Sequence, residues 1–210
     1  MSTTEIKNKR GLKLSCNVYI PKSIRKPKLA FVLHGFTGYK EEEHLVALCK
    51  QLYKLDYFVV SFDASGYGQS EGTMKEDYRL SNYFKDFEDV LDYVKSNYNV
   101  NSNNISLIGH SMGGIVASKF ASKLRFVKKC ILISTPTFFG GSDILVGHIK
   151  KWKDVGFLIK KSSKYGDIKI YYQFLIDALK YKTTTFAKKI KCDTLVIAGR
   201  EDRIVDMSGT

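Results

Sequence analysis

The stretch SLIGHSMGG, residues 106–114, holds a serine that could act as a nucleophile. Within it, GHSMG fits the pattern G-x-S-x-G, in which a tight turn between a strand and a helix holds the serine side chain exposed. Glycines two positions before and after Ser111 leave room for the turn to close. The start of the next helix would offer free N–H groups and partial positive charge to a developing oxyanion. The pattern predicts Ser111 as the nucleophile of an acyl-transfer reaction.

The residues around this motif predict the strand and the helix that such a turn requires. The run ISLI, residues 105–108, is typical of a buried strand, and residues 114–124 form a helical pattern with small side chains that could pack closely on a sheet. Because the sequence predicts both the strand and the helix, the pattern favours a catalytic turn over a glycine-rich turn with no catalytic role.

A second glycine-flanked loop, HGFTG at residues 34–38, directly follows the apolar run KLAFVL. Ligands bind at the carboxyl ends of the strands in open α/β sheets, where this loop would lie. The N–H groups of Phe36 and Met112 are predicted to form an oxyanion hole. His34 and Gly35 are predicted to shape and support the loop instead of reacting.

A third loop, DASGYGQSEG at residues 63–72, follows the next apolar run. Its glycines invite a comparison with the dinucleotide-binding pattern G-x-G-x-x-G, but Glu71 occupies the place of the third glycine. The spacing therefore excludes that interpretation. Asp63 and Ser70 are instead predicted to hold a tight loop through hydrogen bonds from side chain to backbone.

A candidate acid follows the last apolar run, in TLVIAGREDRIV at residues 194–205. A catalytic triad needs a carboxylate there to orient its histidine and to stabilise the imidazolium. Spacing favours Asp202, and Glu201 and Asp206 remain as alternatives.

Across the chain, apolar runs bounded by turn residues alternate with helical patterns, which is typical of a mostly parallel sheet covered on both faces. The sequence predicts an α/β fold, a three-layer α/β/α sandwich. The predicted buried strands cover 28–33, 57–62, 105–108, 130–134 and 194–198, with an antiparallel edge strand over 11–20 and helices over 42–55, 83–97 and 114–124.

Segment 137–191 interrupts this alternation and is predicted to form a small helical cap, with helices over 144–161 and 170–180. Residues 1–136 would then form the first part of the core, and residues 192–210 would add its strand and acid loop. The cap holds 12 lysines against four aspartates. It is interpreted as a lid with lysines facing water, or alternatively as a surface for weak contact with anionic lipid or an anionic substrate.

Composition and charge bear on the partners, cofactors and location of the protein. The formal net charge of +13 comes mainly from 28 lysines, whereas six arginines and no nucleic-acid-binding motif argue against nucleic acid as a partner. The four cysteines form no C-x-x-C pair, so no metal site or disulfide framework is predicted, and no cofactor is implied. No apolar run has the length of a membrane span or a signal peptide, so a cytoplasmic location is expected.

The motifs HGFTG, DASGYGQSEG, GHSMGG and GREDRIV occur in the order found in the α/β-hydrolase superfamily, which the chain resembles from about Leu14 onward. Within it, the chain resembles small bacterial carboxylesterases of the cinnamoyl and feruloyl esterase type, and then monoacylglycerol lipase-like serine hydrolases. The resemblance implies hydrolysis of a small or medium ester through an acyl-enzyme on Ser111, with Asp202 as the acid and Phe36 and Met112 as oxyanion donors. A thioesterase, acyltransferase or peptidase could use the same serine turn.

The four histidines are His34, His44, His110 and His148, and none follows Asp202, where the resemblance places the catalytic base. One interpretation is that the base, with a last helix and strand, lies beyond residue 210 of a longer protein. The other is that the base is lost, so that His148 substitutes for it or the protein is a non-catalytic binding protein. His110 precedes Ser111 and is predicted to point away from it, and His44 is predicted to be solvated.

Overall fold

The computed structural model describes residues 1–139, 143–162 and 164–202, with the backbone alone for 143–148. A seven-stranded sheet forms its centre, in the order β1-β2-β4-β3-β5-β6-β9, and a separate hairpin pairs β7 with β8. In chain order the strands are β1 Ser2–Lys7, β2 Lys13–Tyr19, β3 Lys28–Leu33, β4 Phe58–Phe62, β5 Asn101–His110, β6 Val127–Ile133, β7 Phe157–Ser162, β8 Gly166–Tyr171 and β9 Asp193–Ile197.

Five strands, β4, β3, β5, β6 and β9, run parallel to one another. Their carboxyl ends therefore meet at one edge of the sheet, which gathers the loops predicted to carry the chemistry. Nearly all side chains of β3 and β4 are buried, since parallel strands are covered on both faces.

The position of β2 differs from the prediction, which put this strand at the edge of the sheet. It lies between β1 and β4 and is antiparallel to both. All six residues of β1 pair with β2. The sequence of β1, STTEIK, is mostly polar, so it lacks the apolar run by which the other strands are recognised.

Helices cover both faces of the sheet, which confirms the predicted three-layer α/β/α architecture. The helices are α1 Glu43–Lys54, α2 Leu80–Asn97, α3 Met112–Ala121, α4 Asp143–Val155, α5 Tyr172–Ala178 and α6 Thr183–Ala187. Helices α2 and α3 pack on one face in a large core that contains Phe31 and Phe87, whereas α1 packs on the other face with Val32 and Cys49. Adjacent residues of β3 thus enter opposite cores, as the pleat of a strand requires.

Between β6 and β9 the helix predicted over 144–161 ends at Val155, and the rest of that prediction is wrong. Gly156 has a φ of +84°, a conformation that ends the helix, and an antiparallel hairpin of β7 and β8 follows. The apolar spacing around Phe157 fits either element, because short apolar runs do not distinguish a helix from a strand.

Trp152 of α4 is fully buried, and its indole N–H donates a 2.8 Å hydrogen bond to the carbonyl oxygen of Ile170 in β8. Trp152 is therefore part of the interior and does not contribute to a surface for contact with lipid. The lysines of the same helix, Lys150, Lys151 and Lys153, are exposed. No helix among the described residues is long and apolar enough to cross a membrane.

The carboxylate of Asp86 in α2 joins distant parts of the chain at a fully buried position. Asn8 Nδ2 and Arg10 Nη2 donate to Oδ1 at 2.9 and 2.8 Å, and the N–H of Ser65 donates to Oδ2 at 2.9 Å. One carboxylate therefore fixes the β1–β2 turn and the loop after β4 onto the same helix. Three donors would lose their acceptor if it were removed.

We predict that Asp86→Ala lowers the free energy of unfolding by about 3–5 kcal/mol, because three buried or partly buried donors lose their acceptor at about 1–3 kcal/mol each, although Arg10 keeps its ion pair with Asp77. The matched control is Asp92→Ala on the same helix, where the side chain is 65% exposed and bonded to Lys9, and where we expect a change within about 0.5 kcal/mol. Urea denaturation followed by circular dichroism measures both values. Equal losses in the two variants would contradict the assignment.

Helix α3 lies directly on the sheet, with glycines at the contact. A Cβ on Gly113 would lie 2.3 Å from the carbonyl oxygen of Leu33 in β3, and one on Gly109 would lie 2.3 Å from the carbonyl oxygen of Gly113. Real Cβ atoms essentially never come this close to another heavy atom. Both positions therefore require glycine for space, whatever their backbone angles.

Gly113→Ala tests this contact. Alanine inside a helix is favoured over glycine by about 0.5–1 kcal/mol, but overpacking against backbone costs about 1–3 kcal/mol or more, so we expect net destabilisation. Gly199→Ala is the control, because its Cβ would meet only an ordinary contact 3.7 Å from the Cβ of Asp202. Thermal unfolding compares the two, and a Gly113→Ala chain as stable as the parent would refute the steric argument.

Candidate active site

Ser111 occupies a strained turn between β5 and α3. Its φ and ψ are 50° and −117°, and positive φ at a residue other than glycine costs of order 1–3 kcal/mol. The turn is fixed on both sides, since the N–H of Ser111 donates to the carbonyl oxygen of Ile133 at 2.8 Å and its own carbonyl oxygen accepts from Gly114 at 2.9 Å. The side chain is half-buried. The fold thus imposes a strained backbone on this serine.

The loop after β3 lies against this turn. A Cβ on Gly35 would be 3.2 Å from Ser111 Cβ and 3.2 Å from His110 Nδ1, so a larger residue would push the loop away. The absence of a side chain at Gly35 lets the backbone that leads to Phe36 approach the serine. The structure therefore brings together Gly35, Phe36, Ser111 and Met112.

Two backbone N–H groups near the serine are available as donors. No acceptor for the Phe36 N–H is found among the described residues. Met112 is the first residue of α3, where N–H groups have no partner within the helix. These are the two groups that the sequence predicts as oxyanion donors.

The conformation of the Phe36 loop is held from several directions. The N–H of Thr37 donates to the hydroxyl oxygen of Tyr78 at 2.7 Å, and the Thr37 hydroxyl donates to the carbonyl oxygen of Phe36 at 2.6 Å. Lys160 Nζ in β7 donates to Thr37 Oγ1 at 2.5 Å and lies 5.4 Å from the centre of the Phe36 ring. The Phe36 ring also packs on Phe139, Phe174 and Tyr78. The segment after β6 thus contacts the loop directly.

His34 is fully buried and uses both ring nitrogens inside the fold. Nδ1 lies 2.8 Å from the carbonyl oxygen of Gly35, and Nε2 accepts from the N–H of Ala64 at 3.1 Å, which together assign the proton to Nδ1. Burial lowers the pKa of His34, so the ring is neutral at pH 7. It stacks on Tyr83 and connects the loops after β3 and β4.

Asp63 is buried beneath the same loop, beside a lysine that the sequence analysis did not single out. Its carboxylate accepts from the N–H of Lys40 at 2.6 Å, from Lys40 Nζ at 3.3 Å and from the N–H of Gln69 at 2.9 Å. Lys40 is only 1% exposed. Ser70 completes the loop by donating from its hydroxyl to the carbonyl oxygen of Asp63 at 2.6 Å.

A cluster that the sequence analysis also missed lies beside the serine turn. The rings of His44 and His110 pack edge to face, with their centres 4.8 Å apart, although His44 is otherwise exposed. Glu42 is close to both. Burial and then the neighbouring His44 lower the pKa of His110, so its imidazole is neutral at pH 7. The only sequence signal was the spacing of Glu42 and His44 at a helix start.

Asp202 follows β9 in a turn, where its N–H donates to the carbonyl oxygen of Gly199 at 3.2 Å. Its carboxylate is near enough to His110 to act on the pKa of that ring, which it raises against the larger effect of burial. The alternative Glu201 is exposed. The other alternative, Asp206, lies outside the described residues.

The described residues do not supply a proton acceptor for Ser111, although they supply the other predicted site residues. No hydrogen bond joins the Ser111 hydroxyl to a histidine in the described part of the chain. His34 is engaged elsewhere, and His44 packs on His110. The side chain of His148 lies outside the described residues.

A pocket of about 350 Å³ opens between α1 and the hairpin of β7 and β8, next to the Phe36 loop. Its wall includes Thr37, Glu42, His44 and Lys160. The surface beside the serine turn therefore combines a carboxylate, an imidazole and an ammonium group. Such a wall can bind polar or charged groups.

Comparison with known proteins places this chain among hydrolases. The family model described as Hydrolase_4, serine aminopeptidase, S33, matches residues 25–163. The lysophosphatidylserine lipase ABHD12 of Rattus norvegicus is 38% identical over 92 residues, which is 44% of this chain and 22% of that protein. The chain thus matches about a fifth of the length of that relative.

Solved structures extend the likeness to almost the whole chain. The ferulic acid complex of Est1E from Butyrivibrio proteoclasticus superimposes with a TM-score of 0.76 at 25% identity, over 98% of this chain and 82% of that one. The Pyrococcus furiosus esterase Pf2001 gives a TM-score of 0.71 at 23% identity, over 99% and 72% of the two chains, and supports the fold alone.

The fold, the strained serine turn and these similarities agree with the resemblance seen in the sequence motifs. Because the family match covers more than half of the residues, the chain belongs to the Hydrolase_4 (serine aminopeptidase, S33) family, within the α/β-hydrolase superfamily.

Proposed function

We propose that this protein is a serine hydrolase that cleaves small or medium carboxylic esters through an acyl-enzyme on Ser111. The observation that carries the proposal is the backbone of Ser111, held at φ 50° between β5 and α3 with the Phe36 loop packed against it. Strained serine turns of this kind present the hydroxyl to a substrate at the carboxyl ends of the strands. The esterase and lipase names of the relatives support the same reaction.

In the proposed reaction, the hydroxyl oxygen of Ser111 attacks the ester carbonyl carbon while its proton passes to a base. The resulting oxyanion accepts hydrogen bonds from the N–H groups of Phe36 and Met112, which strengthen as charge develops on the oxygen. Collapse of this intermediate breaks the bond to the alcohol, which leaves with the proton from the base. Water then attacks the acyl-enzyme by the same route and releases the acid.

We propose that the base is a histidine beyond residue 210, oriented by Asp202. The order serine, acid, histidine is the order of α/β-hydrolases. The turn that carries Asp202 follows β9, and only β6 lies between β9 and β5, the strand that leads to Ser111. The ferulic acid-bound esterase, of which this chain covers 82%, is a longer chain. A histidine supplied there would complete the triad without displacing His34 or His110.

Amide hydrolysis is a second candidate, because the matching family carries the description serine aminopeptidase. Esters and amides are attacked by the same nucleophile, but an amide needs protonation of a poorer leaving group. A panel of p-nitrophenyl esters and aminoacyl p-nitroanilides distinguishes them. We expect the esters to be cleaved and the anilides to be cleaved far more slowly.

Labelling of Ser111 tests whether this serine is a nucleophile. A fluorophosphonate probe should label the 210-residue chain at Ser111 slowly, because the proposed base lies outside that chain, and faster when imidazole is added. Peptide mass spectrometry locates the adduct, and Ser111→Ala should reduce labelling to background. Ser96→Ala is the control, because that serine is exposed on α2 and away from the strained turn, and it should leave labelling unchanged. Equal labelling of several surface serines would show that Ser111 is not activated.

The rate of the 210-residue chain tests where the base lies. If the base lies beyond residue 210, hydrolysis of p-nitrophenyl butyrate by the 210-residue chain should be slower than that of complete esterases by roughly the 10²–10⁴-fold that a general base contributes, or more. Added imidazole should raise the rate, and His148→Ala should leave it unchanged. Fast hydrolysis that His148→Ala abolishes would make His148 the base and overturn this assignment.

A further inference from the structure

Three side chains that the proposed ester chemistry does not use converge beside the serine turn. Glu42 precedes α1, His44 lies in its first turn, and His110 is the last residue of β5. One ligand atom from each lies within 4.8 Å of the others. Because they come from two separate elements, their proximity is a product of the tertiary fold and not of local sequence.

The spacing approaches that of ligands around one metal ion. Zinc binds imidazole nitrogen at about 2.0–2.1 Å and carboxylate oxygen at about 2.0–2.2 Å, so two ligand atoms of one tetrahedral ion are about 3.4 Å apart. The observed limit of 4.8 Å is longer, so the side chains must move toward one another to take up an ion. His44 is exposed, so rotation of its side chain can shorten its distances to Glu42 and His110 without disturbing the core.

Two polar atoms of this cluster also lack partners. His110 Nδ1 and Glu42 Oε2 are both buried, and neither has a hydrogen-bond partner among the described residues. An unsatisfied buried polar atom costs about 1–3 kcal/mol, so native proteins rarely leave one without water or an ion. A bound cation would satisfy the carboxylate oxygen and an imidazole nitrogen together.

The surrounding charges are mixed. Glu42 and Glu43 at the start of α1 and Asp202, whose charge acts on His110, favour a cation. Lys160 and Lys161 on the pocket wall and the positive end of the α1 dipole oppose it. Two imidazoles and one carboxylate form a ligand set that catalytic zinc sites use.

We propose that Glu42, His44 and His110 form a binding site for a divalent transition-metal ion of which zinc is the best fit. Glu42 and His44 both line the 350 Å³ pocket, so a coordination position left by the protein faces that pocket and is open to water or to a polar group of a ligand. The ion links the start of α1 to the end of β5. The site stands independently of the hydrolase chemistry proposed for Ser111.

Metal binding is measured directly, without reference to activity. Isothermal titration of the chelator-treated chain with zinc should show one ion per chain, with a dissociation constant on the order of micromolar or tighter. His44→Asn and Glu42→Gln should each weaken binding at least about tenfold, since each removes a ligand. Glu43→Gln is the matched control. It removes one carboxylate from the same helix turn and pocket wall but no proposed ligand, so binding should remain within about twofold.

Cobalt substitution identifies the ligands by their spectrum. The cobalt-loaded chain should show visible bands of nitrogen and oxygen ligands and no thiolate charge-transfer band, because the four free cysteines are not part of the site. Circular dichroism of His44→Asn and Glu42→Gln checks that both remain folded. Unchanged zinc affinity in these two variants, a thiolate band, or no saturable binding by the parent chain would each overturn the proposal.

Discussion

The contact of α3 with β3 is the constraint on which the rest of the site depends. Gly109 and Gly113 leave no space between the helix and the sheet, so the chain must reverse within the few residues between β5 and α3. Ser111 adopts the positive φ that this reversal requires. Its conformation sets the positions of its two neighbours, His110 and Met112. Met112 begins the helix, whereas His110 closes the strand and meets α1. A single backbone-to-backbone approach thus fixes the positions of the proposed nucleophile, one proposed oxyanion donor and one proposed metal ligand.

Buried polar groups hold the loop after β3, which carries the Phe36 N–H. His34 and the pair of Asp63 and Lys40 join the loop after β3 to the loop after β4 through hydrogen bonds that water does not reach. Buried polar groups are costly when they are partly satisfied and rigid when they are fully satisfied. These buried hydrogen bonds therefore fix the conformation of the loop that carries the Phe36 N–H. The proposed role of this N–H as an oxyanion donor requires such a fixed orientation before the substrate arrives.

The sequence predicted the parts of this molecule that repeat a simple pattern. Buried parallel strands such as β3 and β4 are continuous apolar runs, and the turn at Ser111 has glycines at fixed offsets, so both are visible without coordinates. The outer strand β1 is polar and was missed, and the helix predicted through residue 161 became a hairpin after Gly156. Lys40 and the cluster of Glu42, His44 and His110 depend on which distant elements meet. No spacing rule within one segment contains that information.

The burial of Trp152 gives the protein an internal optical reporter. It is the only tryptophan among the 210 residues, and its indole is enclosed between α4 and β8, in the segment between β6 and β9. Tryptophan emission therefore responds to the packing of that segment alone, while the 13 tyrosines sample the chain more widely. A shift of the emission to longer wavelength with unchanged far-ultraviolet ellipticity would mark the segment opening away from the Phe36 loop while the central sheet stays intact.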